Sequence, residues 1–174
     1  MRNILIVVDI QKDFVDGALG TAEAVGIVPA AAERIREFGD EIFVTKDTHF
    51  EDYMDTAEGK NLPVPHCIRG SEGWELDKEI EKALEGKNAR IVEKYTFGSD
   101  QLPGLINEPD RGRDMQIELI GLCTDICVVS NALLLKAFYP EARISLRENC
   151  CAGVTPAKHE AAIETMRSCQ IEII

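Results

Sequence analysis

The sequence predicts an α/β fold of three layers, in which helices cover both faces of a six-stranded parallel sheet. Short apolar runs rich in Ile and Val alternate along the chain with longer amphipathic stretches. This alternation is typical of βαβ units, which build parallel sheets. The 174 residues suit one domain, and no repeat or linker composition divides them, so we expect residues 1–174 to form a single domain.

Six apolar runs are predicted strands because each is short and several look buried on both faces. They lie at 3–9, 41–45, 89–93, 116–121, 142–146 and 170–174. Four intervening stretches are predicted helices from their amphipathic patterns. They lie at 28–38, 74–84, 127–138 and 156–168. Residues 101–109 could form either a short helix or a loop.

The irregular stretch from residue 47 to residue 73 is long for a compact domain, and loops of that length usually carry function. In open α/β sheets, ligands bind beyond the carboxyl ends of the strands. We therefore expect the functional residues to follow directly after strands.

The composition excludes several classes of protein. The net charge of −12 argues against a nucleic-acid partner and against docking on anionic lipid. No apolar run approaches the roughly 20 residues that span a bilayer, and no signal-peptide pattern opens the chain. We expect a soluble cytoplasmic protein whose six cysteines, which include no CxxC pair, are reduced.

Three residues near predicted strand ends could perform chemistry together. Asp9 ends the first strand, where burial would raise its pKa toward that of a general base. Lys94 follows the third strand and could stabilise a negative charge, or it could be a surface lysine. Cys127 opens a predicted helix, whose dipole would lower the thiol pKa. It could equally be a buried core cysteine, and we expect the nearby Cys123 to serve packing.

A second group of residues could bind a metal ion. Asp47 and His49 point the same way if the segment is extended, and two stiffening prolines, Pro63 and Pro65, come shortly before His66. Two imidazoles and a carboxylate suit zinc, manganese or iron, and Glu58 could add a fourth ligand. The alternative is a surface Asp-x-His segment with an unrelated histidine. His159 is expected to be structural or exposed.

Five motifs occur in the order found in the isochorismatase-like cysteine hydrolases, and the chain resembles the nicotinamidase branch in particular. The motifs are VVDIQKDF, TKDTH, PHCIRG, VEKYTFGS and GLCTDICV. The resemblance covers nearly the whole chain. It implies a catalytic triad of Asp9, Lys94 and Cys127 and a six-stranded parallel sheet between helices. It also implies one divalent metal, zinc by preference, at Asp47, His49 and His66.

The resemblance further implies how the site would work. Asp9 would take the thiol proton, and the thiolate of Cys127 would attack a carboxamide to form a thioester. A non-proline cis peptide is expected at Leu122–Cys123, and the N–H groups of Cys123 and Cys127 would hold the oxyanion. The metal would hold the ring nitrogen of a pyridine carboxamide. Phe14 and Phe97 are the candidate pocket walls.

The leading functional hypothesis is therefore a nicotinamidase that makes nicotinate and ammonia and acts in NAD salvage. The alternatives are a related hydrolase of another small amide, such as a carbamoyl or ureide compound, and a non-catalytic metal-binding member of the fold. An isochorismatase is disfavoured because a cysteine nucleophile suits amides. We expect a small carboxamide as the binding partner and a homo-oligomer as the assembly.

Overall fold

The computed structural model describes residues 1–174 and contains the predicted six-stranded, all-parallel sheet. The strands are β1 (Arg2–Val8), β2 (Glu41–Asp47), β3 (Ala89–Lys94), β4 (Met115–Leu122), β5 (Arg143–Ala152) and β6 (Glu172–Ile173). Their order across the sheet is β3-β2-β1-β4-β5-β6, and every neighbouring pair is parallel. All six predicted strands are present, but β5 continues six residues beyond its predicted end at Leu146, and β6 contains only two residues.

Seven helices connect the strands. They are α1 (Lys12–Val15), α2 (Ala22–Glu37), α3 (Ala57–Asn61), α4 (Lys78–Leu84), α5 (Leu102–Ile106), α6 (Val129–Phe138) and α7 (Pro156–Ser168). The prediction for α7 is correct at both ends, and the undecided segment 101–109 contains the short helix α5. α4 begins at Lys78 rather than at Trp74, because Asp77 caps it by accepting the Glu79 N–H at 2.8 Å.

The helix α2 begins six residues before the predicted start at Val28. The Thr21 side chain accepts the Ala24 N–H at 3.0 Å, so Thr21 is the N-cap. The helix then passes through Pro29 without ending. The cap residue, rather than the proline, therefore marks where this helix starts.

The core has two halves, one on each face of the sheet, as the βαβ pattern predicts. One half packs α5, α6 and α7 against the sheet, and the other packs α1, α2 and α4. In β1, residues 4–8 are all buried, because the strand is central and covered on both sides.

The order of the strands reverses direction at β1, which lies between the two halves of the sheet. β2 lies on one side of β1 and β4 lies on the other, so the carboxyl ends of β1 and β4 border a topological switch point. Ligand sites in doubly wound sheets form at such a point. The stretch 47–73 lies beside this edge and contains a 3₁₀ turn at Tyr53–Asp55 as well as α3. No helix in the protein combines the length and the apolar character needed to span a bilayer.

Candidate active site and metal centre

Asp9 lies one residue beyond the carboxyl end of β1, at the centre of the sheet. The strand ends at Val8, one residue earlier than predicted, and Asp9 adopts a left-handed conformation with φ of 48°. Its side chain is fully buried, and Oδ1 accepts the Thr45 hydroxyl at 2.6 Å. Oδ2 lies 2.7 Å from Lys94 Nζ but without the alignment of a hydrogen bond, and no other donor reaches it. Oδ2 therefore faces the Lys94 ammonium, whereas Oδ1 is held by the Thr45 hydroxyl.

Lys94 ends β3, and its ammonium is fully buried between charged groups. Besides the Asp9 contact, Nζ donates to Asp47 Oδ1 at 2.9 Å and to Cys127 Sγ at 3.4 Å. Burial alone would lower the pKa of this ammonium, but Asp9, Cys127 and Asp47 raise it well above its ordinary value. Lys94 thus remains charged and links the three other groups.

Cys127 lies at the sheet edge beside both of these residues, but its setting differs from the expected one. The thiol belongs to a π-helical turn, Thr124–Val128, and α6 begins only at Val129. Burial and the Asp9 carboxylate raise the thiol pKa well above its ordinary value, whereas Lys94 offsets only part of this. The expectation of a lowered pKa is therefore wrong, because burial and the neighbouring carboxylate both favour the neutral thiol.

Burial also raises the pKa of Asp9, as the sequence predicted, and the Lys94 ammonium offsets part of that rise. A protonated thiol beside a carboxylate of raised pKa is suited to transferring the proton only when the sulfur attacks.

Cys123 lines the same cavity as Cys127, so packing is only part of its environment. The peptide bond between Leu122 and Cys123 is cis, as the family resemblance implied. The Cys123 N–H has no backbone acceptor, whereas its carbonyl accepts the N–H groups of Ile126 and Val128. Burial raises the pKa of the Cys123 thiol to about 12.

The four predicted metal ligands lie together, and three of them, Asp47, Glu58 and His66, line this cavity. One ligand atom from each of them falls within 4.8 Å of all the others. Asp47 Oδ2 lies 2.9 Å from His49 Nε2 and 3.6 Å from His66 Nε2. Glu58 Oε1 lies 3.6 Å from His49 Nε2 and 3.8 Å from His66 Nε2. A tetrahedral ion with bonds of about 2.1 Å would have ligand atoms about 3.4 Å apart, so these residues fit a zinc-sized cation.

The orientation of His66 supports the same interpretation. Its Nδ1 lies 2.8 Å from the Val64 carbonyl, which can only accept, so Nδ1 carries the proton and Nε2 offers a lone pair to the cluster. The third histidine, His159, is not part of this cluster, and its Nδ1 lies 2.9 Å from the Thr124 hydroxyl oxygen.

A cavity of about 240 Å³ joins the thiol to the metal ligands. Phe14 and Phe97, the two predicted walls, both line it. The remaining apolar lining comes from Leu19, Leu62, Ile126 and Val154. A larger and more open groove of about 810 Å³ lies near Phe50 and Trp74, but no candidate residue lines it.

Three residues of the site were not predicted. Thr45 holds Asp9, and the Gln11 side chain holds the backbone of Asp47. Asn131 donates to the Cys127 carbonyl at 2.8 Å and accepts the Ser99 N–H at 2.9 Å. Asn131 could have been found from its spacing, because it lies four residues after Cys127 on the same helical face.

The fold and the site place the chain in a class of α/β proteins that carry a buried cysteine between charged groups at the carboxyl edge of the sheet. Within that class it belongs to the isochorismatase family, because the family's sequence model, described as Isochorismatase domain, matches residues 3–174. The resemblance inferred from the motifs is thereby confirmed.

Comparison with known proteins gives similar relatives of nearly equal length. The nicotinamidase/pyrazinamidase of Mycobacterium tuberculosis is 28% identical over 183 residues, covering 98% of this chain and 97% of that protein. The crystal structure of a nicotinamidase/pyrazinamidase from Bacillus subtilis superposes with a TM-score of 0.85 at 28% identity, covering 99% of each chain. A pyrazinamidase of Pyrococcus horikoshii in complex with zinc gives a TM-score of 0.84 at 28% identity, covering 100% and 99% of the two chains.

Proposed function

We propose that the protein is a metal-dependent cysteine amidohydrolase that converts nicotinamide to nicotinate and ammonia. The observation that carries this proposal is the position of Lys94, 2.7 Å from Asp9 and 3.4 Å from Cys127, beside a cavity that also reaches the candidate metal ligands. Relatives that match nearly the whole chain are nicotinamidases or pyrazinamidases, which supports the choice of substrate.

The first half of the reaction forms a thioester. Asp9 Oδ2 accepts the thiol proton while the sulfur of Cys127 attacks the carboxamide carbon. Lys94 stabilises the negative charge that this transfer creates. When the C–N bond breaks, Asp9 gives the proton to the leaving nitrogen, and ammonia departs.

The second half hydrolyses the thioester. Asp9 accepts a proton from water, the hydroxide oxygen bonds to the acyl carbon, and the C–S bond breaks. Asp9 returns this proton to the sulfur of Cys127, and the carboxylic acid leaves. The backbone N–H groups of Cys123 and Cys127 would hold the oxyanion in both halves. The free Cys123 N–H supports this assignment.

Zinc is the metal that we propose for Asp47, His49, His66 and Glu58. Two imidazole nitrogens and two carboxylate oxygens form a donor set that zinc accepts, and manganese and iron are the alternatives. When bound, the ion would supply a Lewis-acidic site for the ring nitrogen of the substrate. The chain's own part would be to fix the distance between that site and the sulfur, and Phe14 and Phe97 line the same cavity.

The experiment that tests the proposal is ammonia release from a panel of small amides by the zinc-loaded protein. We expect nicotinamide and pyrazinamide to be hydrolysed, and the Cys127→Ala variant to release no ammonia. Preferential release from a carbamoyl or ureide compound would instead identify a related amidase. No release from any amide would contradict the proposal and favour a non-catalytic member of the family. The homo-oligomeric state and the cytoplasmic location stay predictions.

A further inference from the structure

We propose that Gln11 and Asp13 are positioning residues that hold the candidate metal ligands at the spacing needed to bind the ion. The inference rests on the metal site proposed above and extends it to two side chains outside the ligand cluster. Both residues follow closely after β1: Gln11 lies directly before α1, and Asp13 lies in the first turn of that helix. Gln11 contacts the segment that carries one candidate metal ligand, and Asp13 contacts a different segment that carries another.

Gln11 extends the pairing of β1 and β2 with its side chain after the backbone of β1 has turned away at Asp9. The fully buried carboxamide accepts the Asp47 N–H at 2.7 Å and donates to the Asp47 carbonyl at 2.9 Å. One side chain thus satisfies both backbone groups of this residue, because a carboxamide offers a donor and an acceptor together. The Asp47 backbone is fixed where its carboxylate must reach the two histidines.

The second amide hydrogen of Gln11 reaches another segment. Nε2 also donates to the Trp74 carbonyl at 2.9 Å, and the backbone of Gln11 forms an antiparallel bridge with Leu76. Gln11 therefore joins the end of β2 to the segment that leads into α4. Loss of the carboxamide would leave buried backbone groups of both Asp47 and Trp74 without these partners.

Asp13 holds the peptide group that links His66 to Cys67. Its Oδ2 accepts the Cys67 N–H at 2.8 Å, at a residue whose φ is 47°. The Cys67 carbonyl in turn accepts the His49 N–H at 2.9 Å. One carboxylate thus fixes the backbone beside one histidine and, through Cys67, the backbone of the other.

The Asp13 carboxylate occupies space that is available because two neighbouring residues are glycines. A Cβ atom at Gly73 would overlap this carboxylate, and a Cβ atom at Gly17 would overlap both the carboxylate and the Asp13 Cα atom. Neither glycine has a positive φ, so backbone conformation does not explain them. Their lack of a side chain is explained by the position of Asp13.

The expected consequence concerns metal affinity. Asp47 and Glu58 are both acidic, and holding two carboxylates close together in the metal-free protein requires a backbone that resists their repulsion. Partners that orient metal ligands typically change metal affinity by about 10- to 100-fold when they are removed. Gln11 and Asp13 should act on affinity in this way although neither donates an atom to the ion.

The test is a titration of the metal-free full-length protein with zinc in competition with a chromophoric chelator. We expect Gln11→Met and Asp13→Ala to bind zinc about 10- to 100-fold more weakly than the wild type. Asp13→Asn keeps an acceptor oxygen for the Cys67 N–H and should restore most of the affinity. Gly73→Ala changes no polar group but displaces the Asp13 carboxylate, so it should also weaken binding.

The matched control is Ile163→Val, which alters a fully buried side chain in the core on the opposite face of the sheet. Unfolding of each metal-free variant by denaturant shows how much stability it has lost. The inference is overturned if Gln11→Met and Asp13→Ala bind zinc as tightly as the wild type. It is also overturned if Ile163→Val loses as much affinity as they do. The readout needs no substrate, so reduced zinc affinity would support the inference even if nicotinamide were not hydrolysed.

Discussion

The Lys94 ammonium donates to Asp47 Oδ1 at 2.9 Å, so the residue that pairs with Asp9 also pairs with a candidate metal ligand. The other oxygen of Asp47 faces the histidines. One carboxylate therefore belongs to both groups that the sequence indicated separately. The two groups share a charge network in which Lys94 is the only cation fully buried among them.

Removing the acceptor at Asp9 should remove most of the activity. Asp9→Asn keeps the size of the side chain and a partner for the Thr45 hydroxyl, but it cannot take the thiol proton. We expect kcat/KM for nicotinamide to fall by at least about 10²-fold, the low end for general acid–base contributions. Asp16→Asn, which changes an exposed carboxylate paired with Lys12, is the control and should be unaffected. Activity of Asp9→Asn close to that of the wild type would exclude Asp9 as the base.

Removing the charge of Lys94 should change both reactivity and stability. Lys94→Met should raise the pKa of the Cys127 thiol further. Alkylation of the thiol should then be slower at every pH below its pKa. The buried carboxylates of Asp9 and Asp47 would lose their cation, which typically costs about 3–5 kcal/mol of unfolding free energy. The measurements are the pH profile of alkylation and a denaturant unfolding curve.

The control for this variant is Lys12→Met, because the ammonium of Lys12 is partly exposed and pairs only with Asp16. It should leave both measurements near the wild-type values. Superimposable alkylation profiles for wild type, Asp9→Asn and Lys94→Met would mean that neither residue affects the thiol, and the proposed triad would fail.

The two cysteines in the cavity should differ sharply. Cys127→Ala should reduce ammonia release to background, because only this sulfur contacts Lys94. Cys123→Ala keeps the backbone N–H proposed for the oxyanion and should lose less than about tenfold, or 1.4 kcal/mol of transition-state stabilisation. Thermal unfolding should show that both variants fold. The opposite pattern of activities would assign the nucleophile to Cys123.

The bound metal should depend on His66. Elemental analysis of the wild type should give about one zinc per chain for a single site, and His66→Ala should lose most of it. His159→Ala is the control, since His159 belongs to a separate, more exposed group with Glu148 and Glu160. Unchanged zinc content in His66→Ala together with loss in His159→Ala would move the site to that second group.

The ion pairs of Glu118 should make the unfolding free energy depend on pH. Glu118 accepts hydrogen bonds from Arg34 and Arg147. Burial raises the pKa of Glu118, but the two arginines lower it by more, so the pKa lies below its ordinary value of 4.5. Because the folded pKa is the lower one, the unfolded state binds the proton more readily. The stabilisation is therefore complete above about pH 4.5 and disappears as the pH falls through the folded pKa.

Unfolding free energies measured from neutral to acidic pH should show this effect as a steeper decline in the wild type than in Glu118→Gln. The exposed Glu23, which forms no ion pair, supplies the control variant Glu23→Gln. Equal slopes for wild type and Glu118→Gln would contradict the prediction.

The strands and the approximate site were predictable because buried parallel strands leave short apolar runs. The polar residue that follows such a run lies at the sheet's carboxyl edge. Asp9, Lys94 and Cys127 could each be found in this way. Periodicity does not reveal the order of the strands, however. The contact between Asp47 and Lys94 depends on β2 and β3 being neighbours in a register that pairs these two residues, so the sequence alone did not predict it.

The residues adjacent to Cys127 also gave the wrong prediction for its pKa, because burial determines that pKa. A thiol at the start of a predicted helix suggested a lowered pKa, but the structure places Cys127 in a π-helical turn beside a carboxylate and away from water. The turn type depends on how β4 meets α6, and the burial depends on neighbours distant in sequence. Neither property can be read from the residues adjacent to Cys127.

The central position of β1 has a consequence for the order of folding. This strand comes early in the chain, yet its neighbour β4 lies more than a hundred residues later. Bringing the two together closes a long loop, which is entropically costly and slow compared with local helix formation. Asp9 and Cys127 meet only after that closure, so a refolding molecule should acquire its helical signal first. Protection of the Cys127 thiol from alkylation should then follow as a distinct and later phase.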